Sequence, residues 1–269
     1  MRKLHAASAQ VNSIAMDPKG NLEKIRKQAL CASIVGADAI VFAETAIHAY
    51  CLFPENLAQA EPVGGPLTGQ ILEWAKEYSI IIMAGFLEKS ELGIHNSHVI
   101  ARPDGSMFSV RKNGLTPTEL NAGLIAGKIE RDTFEINGVK CALYICADSG
   151  VAAIQEDMKK QGVEMLFVGT AGGGWRKDYI TEADLDTPEG LLEYIDDHSM
   201  VHLTEAVRPK RSHTTAFAAA NAMGDDGAYM THHGHCMIID RHRIIRAQIP
   251  GTNVMEHMLD QMIHAVLYF

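Results

Sequence analysis

The run Cys141-Ala-Leu-Tyr-Ile145, broken off by Cys146-Ala147-Asp148, is the stretch whose reading decides the fold. An apolar run of this length, entered through the turn pair Asn137-Gly138, reads as a buried strand preceded by a hairpin. Cys146 therefore stands at the carboxyl end of a core strand. In layered α/β folds reacting groups gather there, because the strand fixes their position and the loop beyond leaves room for a ligand. The plainer alternative is a small buried hydrophobe, since free cysteine is among the most buried residue types. What else ends a strand decides between them.

Upstream, residues 3–11 read as a first strand, and Pro18 with Asn21 opens a helical pattern to Gly36. Residues 39–43 form a short buried strand that ends at Glu44. A long loop over 45–66 follows, rich in Pro and Gly, and loops of that length inside a compact domain are usually functional or disordered. Thr68 is expected to cap a helix to Ser79, before a strand over 80–85. Residues 98–101 and 107–111, joined by the turn Arg102-Pro-Asp-Gly105, make a hairpin ending at Lys112. A loop over 113–127 leads into the central hairpin.

Downstream, a helix over 151–162 and a strand over 164–169 run into Thr170-Ala-Gly-Gly-Gly-Trp175. That glycine run lacks the Gly-x-Gly-x-x-Gly spacing and a following Lys-Ser/Thr, so its signal for a phosphate cradle is weak. Residues 176–210 read as an excursion carrying an acidic helix over 188–208. The Ala-rich stretch 212–223 is compatible with either helix or strand. Residues 236–240 and 244–249 read as a terminal hairpin. The whole chain, 1–269, reads as one α/β domain.

Bulk properties narrow the function. Net charge is -9, from 24 basic and 33 acidic residues, and Arg208-Pro-Lys-Arg211 is the one basic cluster. A nucleic-acid footprint needs a concentrated positive face, and adhesion to anionic lipid needs a polybasic segment, so neither partner is expected. No stretch approaches the ~20 apolar residues that span a bilayer, and the start lacks a signal-type apolar core. The five cysteines are widely spaced without a Cys-x-x-Cys pair. Reduced thiols in a cytoplasmic protein are the expectation.

Three chemically apt residues thus end strands: Glu44, Lys112 and Cys146. A thiol needs a base or a positive neighbour to act as a nucleophile near neutral pH. A carboxylate takes its proton, and a nearby lysine stabilises both thiolate and oxyanion. The set suffices for acyl transfer with no metal and no cofactor.

Here the sequence resembles the nitrilase, or carbon–nitrogen hydrolase, superfamily through almost its whole length. Val41-Phe-Ala-Glu44 resembles the motif around the base glutamate. Gly85-Phe-Leu-Glu88, Asn96, Pro103-Asp-Gly105 and Val110-Arg-Lys112 follow in the family's order and end on its lysine. Thr116-Pro-Thr-Glu119 resembles the segment with a second glutamate, and Tyr144-Ile-Cys146-Ala-Asp148 the nucleophile motif. Ala218-Ala-Ala-Asn221-Ala-Met-Gly224 and Gly234-His-Cys-Met-Ile-Ile-Asp240 resemble its closing strands. Each is weak alone; their common order is a strong signal.

The resemblance implies a four-layer α-β-β-α sandwich with two mixed sheets, commonly a homodimer or larger homo-oligomer. It implies a cysteine thioester mechanism on a small-molecule amide, N-carbamoyl or nitrile substrate. Glu44 is then the base, Cys146 the nucleophile, Lys112 and the Ala147 N–H the oxyanion donors, and Glu119 the group that positions substrate or assists proton transfer. Tyr50, Gly172 and Trp175 are the expected pocket residues. The chain departs from the pattern in Asn113-Gly-Leu115, which lacks the histidine often found after the lysine, and in Ser149-Gly-Val-Ala, where relatives often carry an arginine and a Pro-Glu pair. It also ends soon after its last expected strand, without the tail many relatives lay across a dimer interface, so an oligomer is expected to rest on helix faces or the excursion.

Two rivals remain. Thr231-His-His-Gly-His-Cys236 offers metal-ligand types, but neighbours on a strand point to opposite faces, leaving His233 and His235 alone on one side. A non-catalytic binding protein on the same fold is the other, since activity lives in the site and not in the fold.

Overall fold

The computed structural model describes residues 1–175, 181–190, 215–228 and 230–269, with Gly174 and Trp175 followed in backbone only. The first half of the chain forms β1 (Lys3–Gln10), α1 (Pro18–Ile34), β2 (Ala39–Val41), α2 (Pro54–Leu57), α3 (Pro66–Tyr78), β3 (Ile81–Ser90), β4 (Gly93–Ala101), β5 (Met107–Arg111) and α4 (Pro117–Asn121). The second half forms β6 (Phe134–Ile136), β7 (Val139–Ile145), α5 (Ala152–Gln161), β8 (Met165–Thr170), β9 (Gly173–Trp175), β10 (Ala216–Asn221), β11 (Met223–Asp225), β12 (Met230–His233), β13 (Cys236–Ile239), β14 (Ile245–Ile249) and β15 (Gln261–Tyr268).

Among the described residues these strands make two six-stranded sheets, ordered β15-β1-β2-β3-β4-β5 and β14-β13-β10-β8-β7-β6, and a small third sheet, β11-β12-β9. Both large sheets are mixed. In the first, β1, β2 and β3 are parallel neighbours with antiparallel strands outside them. In the second, β7, β8 and β10 play the same part.

The layering follows from the strand period of two. Along β7, Leu143 and Ile145 enter the core between the sheets, where they meet Val41, Met83 and Ile100. Their neighbours Ala142 and Tyr144 point the other way and pack under Ile154 and Met158 of α5. A strand buried on both faces reads as an unbroken apolar run rather than an alternation. On the far side of the first sheet, Ile25 and Ala29 of α1 and Ile71 and Trp74 of α3 cover Ile82, Phe86 and Val99. The result is the expected α-β-β-α stack.

Several local expectations change. Thr68 does not cap α3, which starts two residues earlier at Pro66; the cap is supplied from a distance by Glu61, whose carboxylate accepts from the Leu67 N–H at 2.9 Å and the Thr68 N–H at 2.7 Å. Proline pre-set for the first helical turn explains the earlier start. Strand β4 begins at Gly93, not at His98, because His95, Asn96 and Ser97 are buried polar residues that hide the strand from a hydrophobic reading. The loop over 45–66 contains α2. The Ala-rich stretch is extended as β10, its small side chains fitting between β8 and β13. The hairpin β13–β14 is not terminal, since β15 follows and pairs along all of β1. Beyond Gly190 the expected acidic helix over 188–208 lies outside the described residues. No described helix is long and apolar enough to cross a membrane.

Candidate active site

Glu44 follows β2 in the middle of the first sheet, and its N–H donates to the Thr170 carbonyl of β8 at 3.2 Å, so it sits where the central strands of the two sheets meet. The chain turns sharply after it, with Thr45 at φ +49°. Gly85 makes room for this turn: a Cβ there would lie 2.1 Å from the Thr45 nitrogen. Lys112 directly follows β5, tied to β4 by its N–H donating to the Asn96 carbonyl at 2.8 Å. Glu119 lies in the first turn of α4 and is held by a capping box: its Oε2 accepts from the Thr116 N–H at 2.8 Å while the Thr116 hydroxyl accepts from the Glu119 N–H.

These three side chains converge. The Lys112 ammonium donates to Glu44 Oε1 at 2.7 Å and to Glu119 Oε1 and Oε2 at 2.9 and 2.8 Å. The Asn96 amide donates to both carboxylates at 2.7 Å. Lys112 and Glu119 are 0% exposed and Glu44 1%, so one cation balances two carboxylates away from water. Buried charges survive only when paired in this way.

Cys146 opens the 3₁₀ turn Cys146–Gly150 at the end of β7, with φ +45°. A left-handed conformation is uncommon for a residue with a side chain, and such strain collects at functional sites. The residue is partly exposed. Its thiol interacts with the Glu44 carboxylate, with the Lys112 charge and with the backbone of Ala171. Burial, and after it the Glu44 charge, push the thiol well above its ordinary pKa, and Lys112 only partly opposes them. Burial, reinforced by the Glu119 charge, likewise raises Glu44 against the opposing pull of Lys112. Burial alone would lower Lys112, but Glu44, Cys146 and Glu119 hold its ammonium above the usual lysine value. The resting pair is a neutral thiol beside a carboxylate with enhanced proton affinity.

Of the other expected residues, Tyr50 is close, its ring 5.9 Å from the Lys112 nitrogen and its hydroxyl 3.4 Å from Thr116 Oγ1. Ala147 packs its carbonyl against Gly114, where a Cβ would stand only 2.8 Å away. Gly172 adjoins the Ala171 backbone at the thiol and is clamped by Asn221, whose Oδ1 accepts from its N–H at 2.7 Å and whose Nδ2 donates to its carbonyl at 3.0 Å. Trp175 pairs in backbone with Met230, and its side chain lies outside the described residues. Among the described residues no group of three or more His, Cys, Asp or Glu side chains is placed to hold a metal.

The sequence places Asn96 and Asp148 within motifs but gives neither a role, and it passes over Arg131. Asn96 carried a usable signal, because a polar residue in the middle of a buried strand must find partners. Arg131 carried none, since it stands in a loop and its partners are distant in sequence.

The model of the carbon-nitrogen hydrolase family matches residues 5–256. An (R)-stereoselective amidase of Pseudomonas sp. is 26% identical over 140 residues, covering 52% of this chain and 50% of that protein. A hydrolase of Mycobacterium tuberculosis is 26% identical over 178 residues, 63% of this chain and 62% of its own length. The chain thus matches between half and about three fifths of these relatives. Among solved structures, a CN-hydrolase superfamily protein of Xanthomonas campestris aligns with TM-score 0.74 at 18% identity, covering 100% of this chain and 91% of that one. An amidase of Nesterenkonia sp. aligns with TM-score 0.76 at 17% identity, covering 98% and 90%. At such identities the structural likeness is one of fold.

Proposed function

This chain belongs to the carbon-nitrogen hydrolase family, and on that premise we propose that it hydrolyses a non-peptide carbon–nitrogen bond of a small amide or N-carbamoyl compound through a cysteine thioester. The observation that carries the reading is the buried Glu44–Lys112–Glu119 cluster, with Lys112 2.7 Å from Glu44, standing beside the thiol of Cys146. In the proposed course, Glu44 takes the thiol proton as sulfur attacks the amide carbon. The Lys112 ammonium and the Ala147 N–H receive the developing oxyanion. Glu119 orients the substrate amide. The proton on Glu44 passes to the leaving nitrogen, which departs as ammonia or amine. Glu44 then takes a proton from water as its oxygen attacks the thioester, and the acid leaves as the thiol re-forms.

The raised thiol pKa fits this sequence better than a standing thiolate does, because a thiolate would add a second uncompensated negative charge to a closed site. Transfer to Glu44 during attack avoids that charge, and the oxyanion forms where the cation already stands. Removing one such donor typically lowers the rate by ~10²–10³. A mutant of a Nesterenkonia amidase of this fold carries the acetamide moiety of fluoroacetamide covalently added at its active-site cysteine, which supports the same role for Cys146. The five free cysteines fit a reducing compartment such as the cytoplasm. We also assign the chain to one domain that self-associates, and a monomeric mass by light scattering would refute the association.

The test is ammonia release from a panel of amides, N-carbamoyl amino acids and nitriles by the wild type and Cys146→Ala. Turnover of amides that vanishes in the variant is expected. Turnover of nitriles alone would make the protein a nitrilase, and the same turnover in Cys146→Ala would remove the cysteine mechanism.

A further inference from the structure

The two reacting residues arrive from different sheets, Lys112 from the end of β5 and Cys146 from the end of β7. No ladder joins those strands, so something else must hold the lysine and the sulfur at a working separation. We propose that Asp148, balanced by Arg131, is the positioning device that buckles the two together. This rests on the hydrolase reading above and assigns the pair no contact with substrate.

Asp148 is 0% exposed and uses both oxygens on backbone. Its Oδ1 accepts from the N–H groups of Asn113 and Gly114, both at 2.8 Å, the two residues after Lys112. Its Oδ2 accepts from the Ile145 N–H at 3.0 Å, the residue before Cys146. Arg131 completes the bracket. One guanidinium nitrogen donates to the Arg111 carbonyl, just before Lys112, at 2.8 Å, and another forms an ion pair with Asp148 Oδ2 at 3.2 Å. Lys112 is thus gripped on both sides along the chain, and the cysteine turn is tied to the same carboxylate. The Arg131 side chain is 1% exposed, and its Nε and Nη2 make no hydrogen bond, so it meets Asp148 through charge alone. The fit is close: Gly114 lies against the Ala147 carbonyl with no space for a Cβ.

The arrangement explains why the carboxylate must be an aspartate in charge as well as in shape. It accepts three N–H bonds and faces an arginine, and an amide in its place would turn a donor toward N–H groups or toward the guanidinium. A displacement of about 1 Å between reacting groups is enough to lower a rate by ~10².

The experiment compares Asp148→Asn, Arg131→Gln, Arg131→Lys and Gly114→Ala with the wild type. It reads kcat and KM for ammonia release and, separately, the rate at which iodoacetamide alkylates Cys146, located by peptide mass. Far-UV circular dichroism reports folding. For Asp148→Asn the expected result is a kcat lowered about 10²-fold with KM within about threefold, and Cys146 alkylation slowed by about tenfold or more. Arg131→Lys, which keeps the charge but loses the fork, is expected to retain more activity than Arg131→Gln. Folded variants with wild-type kcat and wild-type alkylation overturn the proposal, as does a loss confined to KM. If Asp148→Asn does not fold, Gly114→Ala decides, because it disturbs the same junction without unpairing a charge: a kcat lowered about tenfold supports the buckle and an unchanged kcat sinks it. If the wild type releases no ammonia from any substrate, the hydrolase reading fails and the alkylation rates alone judge the positioning.

Discussion

Glu44 and Glu119 share one cation in a space closed to water, and that sharing governs both reactivity and stability. In the proposed mechanism Glu44 must be ionised to accept the thiol proton, and its pKa is raised. Activity must therefore rise as pH climbs through a value above the ordinary carboxylate range of ~4.3, and the acidic limb of kcat/KM against pH reports it. A limb at or below that range would contradict Glu44 as the base. The same network predicts a stability effect. Lys112→Met leaves two buried carboxylates facing each other, and breaking a buried pair of this kind costs about 3–5 kcal/mol. Adding Glu119→Gln removes one of the stranded charges, so the double variant should be more stable than Lys112→Met alone in urea denaturation. Additive losses would mean that the cluster is not coupled.

At the scale of elements, α4 shows how a short helix serves a site. It spans five residues, too few to be stable by propensity, and its first turn is fixed by the Thr116–Glu119 box. The carboxylate that caps the helix is the one that meets Lys112, so capping and placement are one interaction. Thr116→Ala should lower stability by about 1 kcal/mol and reduce kcat, while Thr116→Ser keeps both near wild type. A Thr116→Ala enzyme with full kcat would show that Glu119 is held by Lys112 and Asn96 alone. Elements with a strong local signature were readable in advance: the Asn137-Gly138 hairpin, the β4–β5 turn and α1. Strand β4 was truncated and β15 passed over for a common reason. Both carry polar or exposed side chains, including His95, Asn96 and Ser97 in one and Gln261 and His264 in the other, and their strand character comes from ladder partners.

Across the whole molecule the two sheets repeat one plan, with three parallel strands at the centre and antiparallel strands outside, although the sequence shows no repeat. Their close apposition buries histidines as well as apolar residues. His48 and His98 have pKa values lowered to about 4, burial being the main cause. His48 can be satisfied only when neutral, since one ring nitrogen accepts from the Leu87 N–H while the other donates to the Gln59 carbonyl. The folded values lie below the unfolded value of ~6.5, so the unfolded chain takes up protons first as pH falls. Their contribution to stability is full above about pH 6.5 and drains away toward pH 4, whereas Glu44, with its raised pKa, works in the opposite sense. The urea midpoint is expected to fall between pH 7 and pH 5, and His48→Gln to flatten part of that slope; a midpoint constant across the range would refute it. The sequence by itself determined the α/β class and the strand that ends at Cys146, because these are written in short-range periodicity and turn chemistry, and it carried the order of the motifs, from which the resemblance implied the four layers. Only the tertiary structure decided that Glu44, Lys112, Glu119 and Cys146 meet, that Asn96 bridges the carboxylates, and that Asp148 and Arg131 clasp the two loops. Those contacts join residues far apart in the chain, and their geometry is set by the packing of one sheet on the other, which no local pattern encodes.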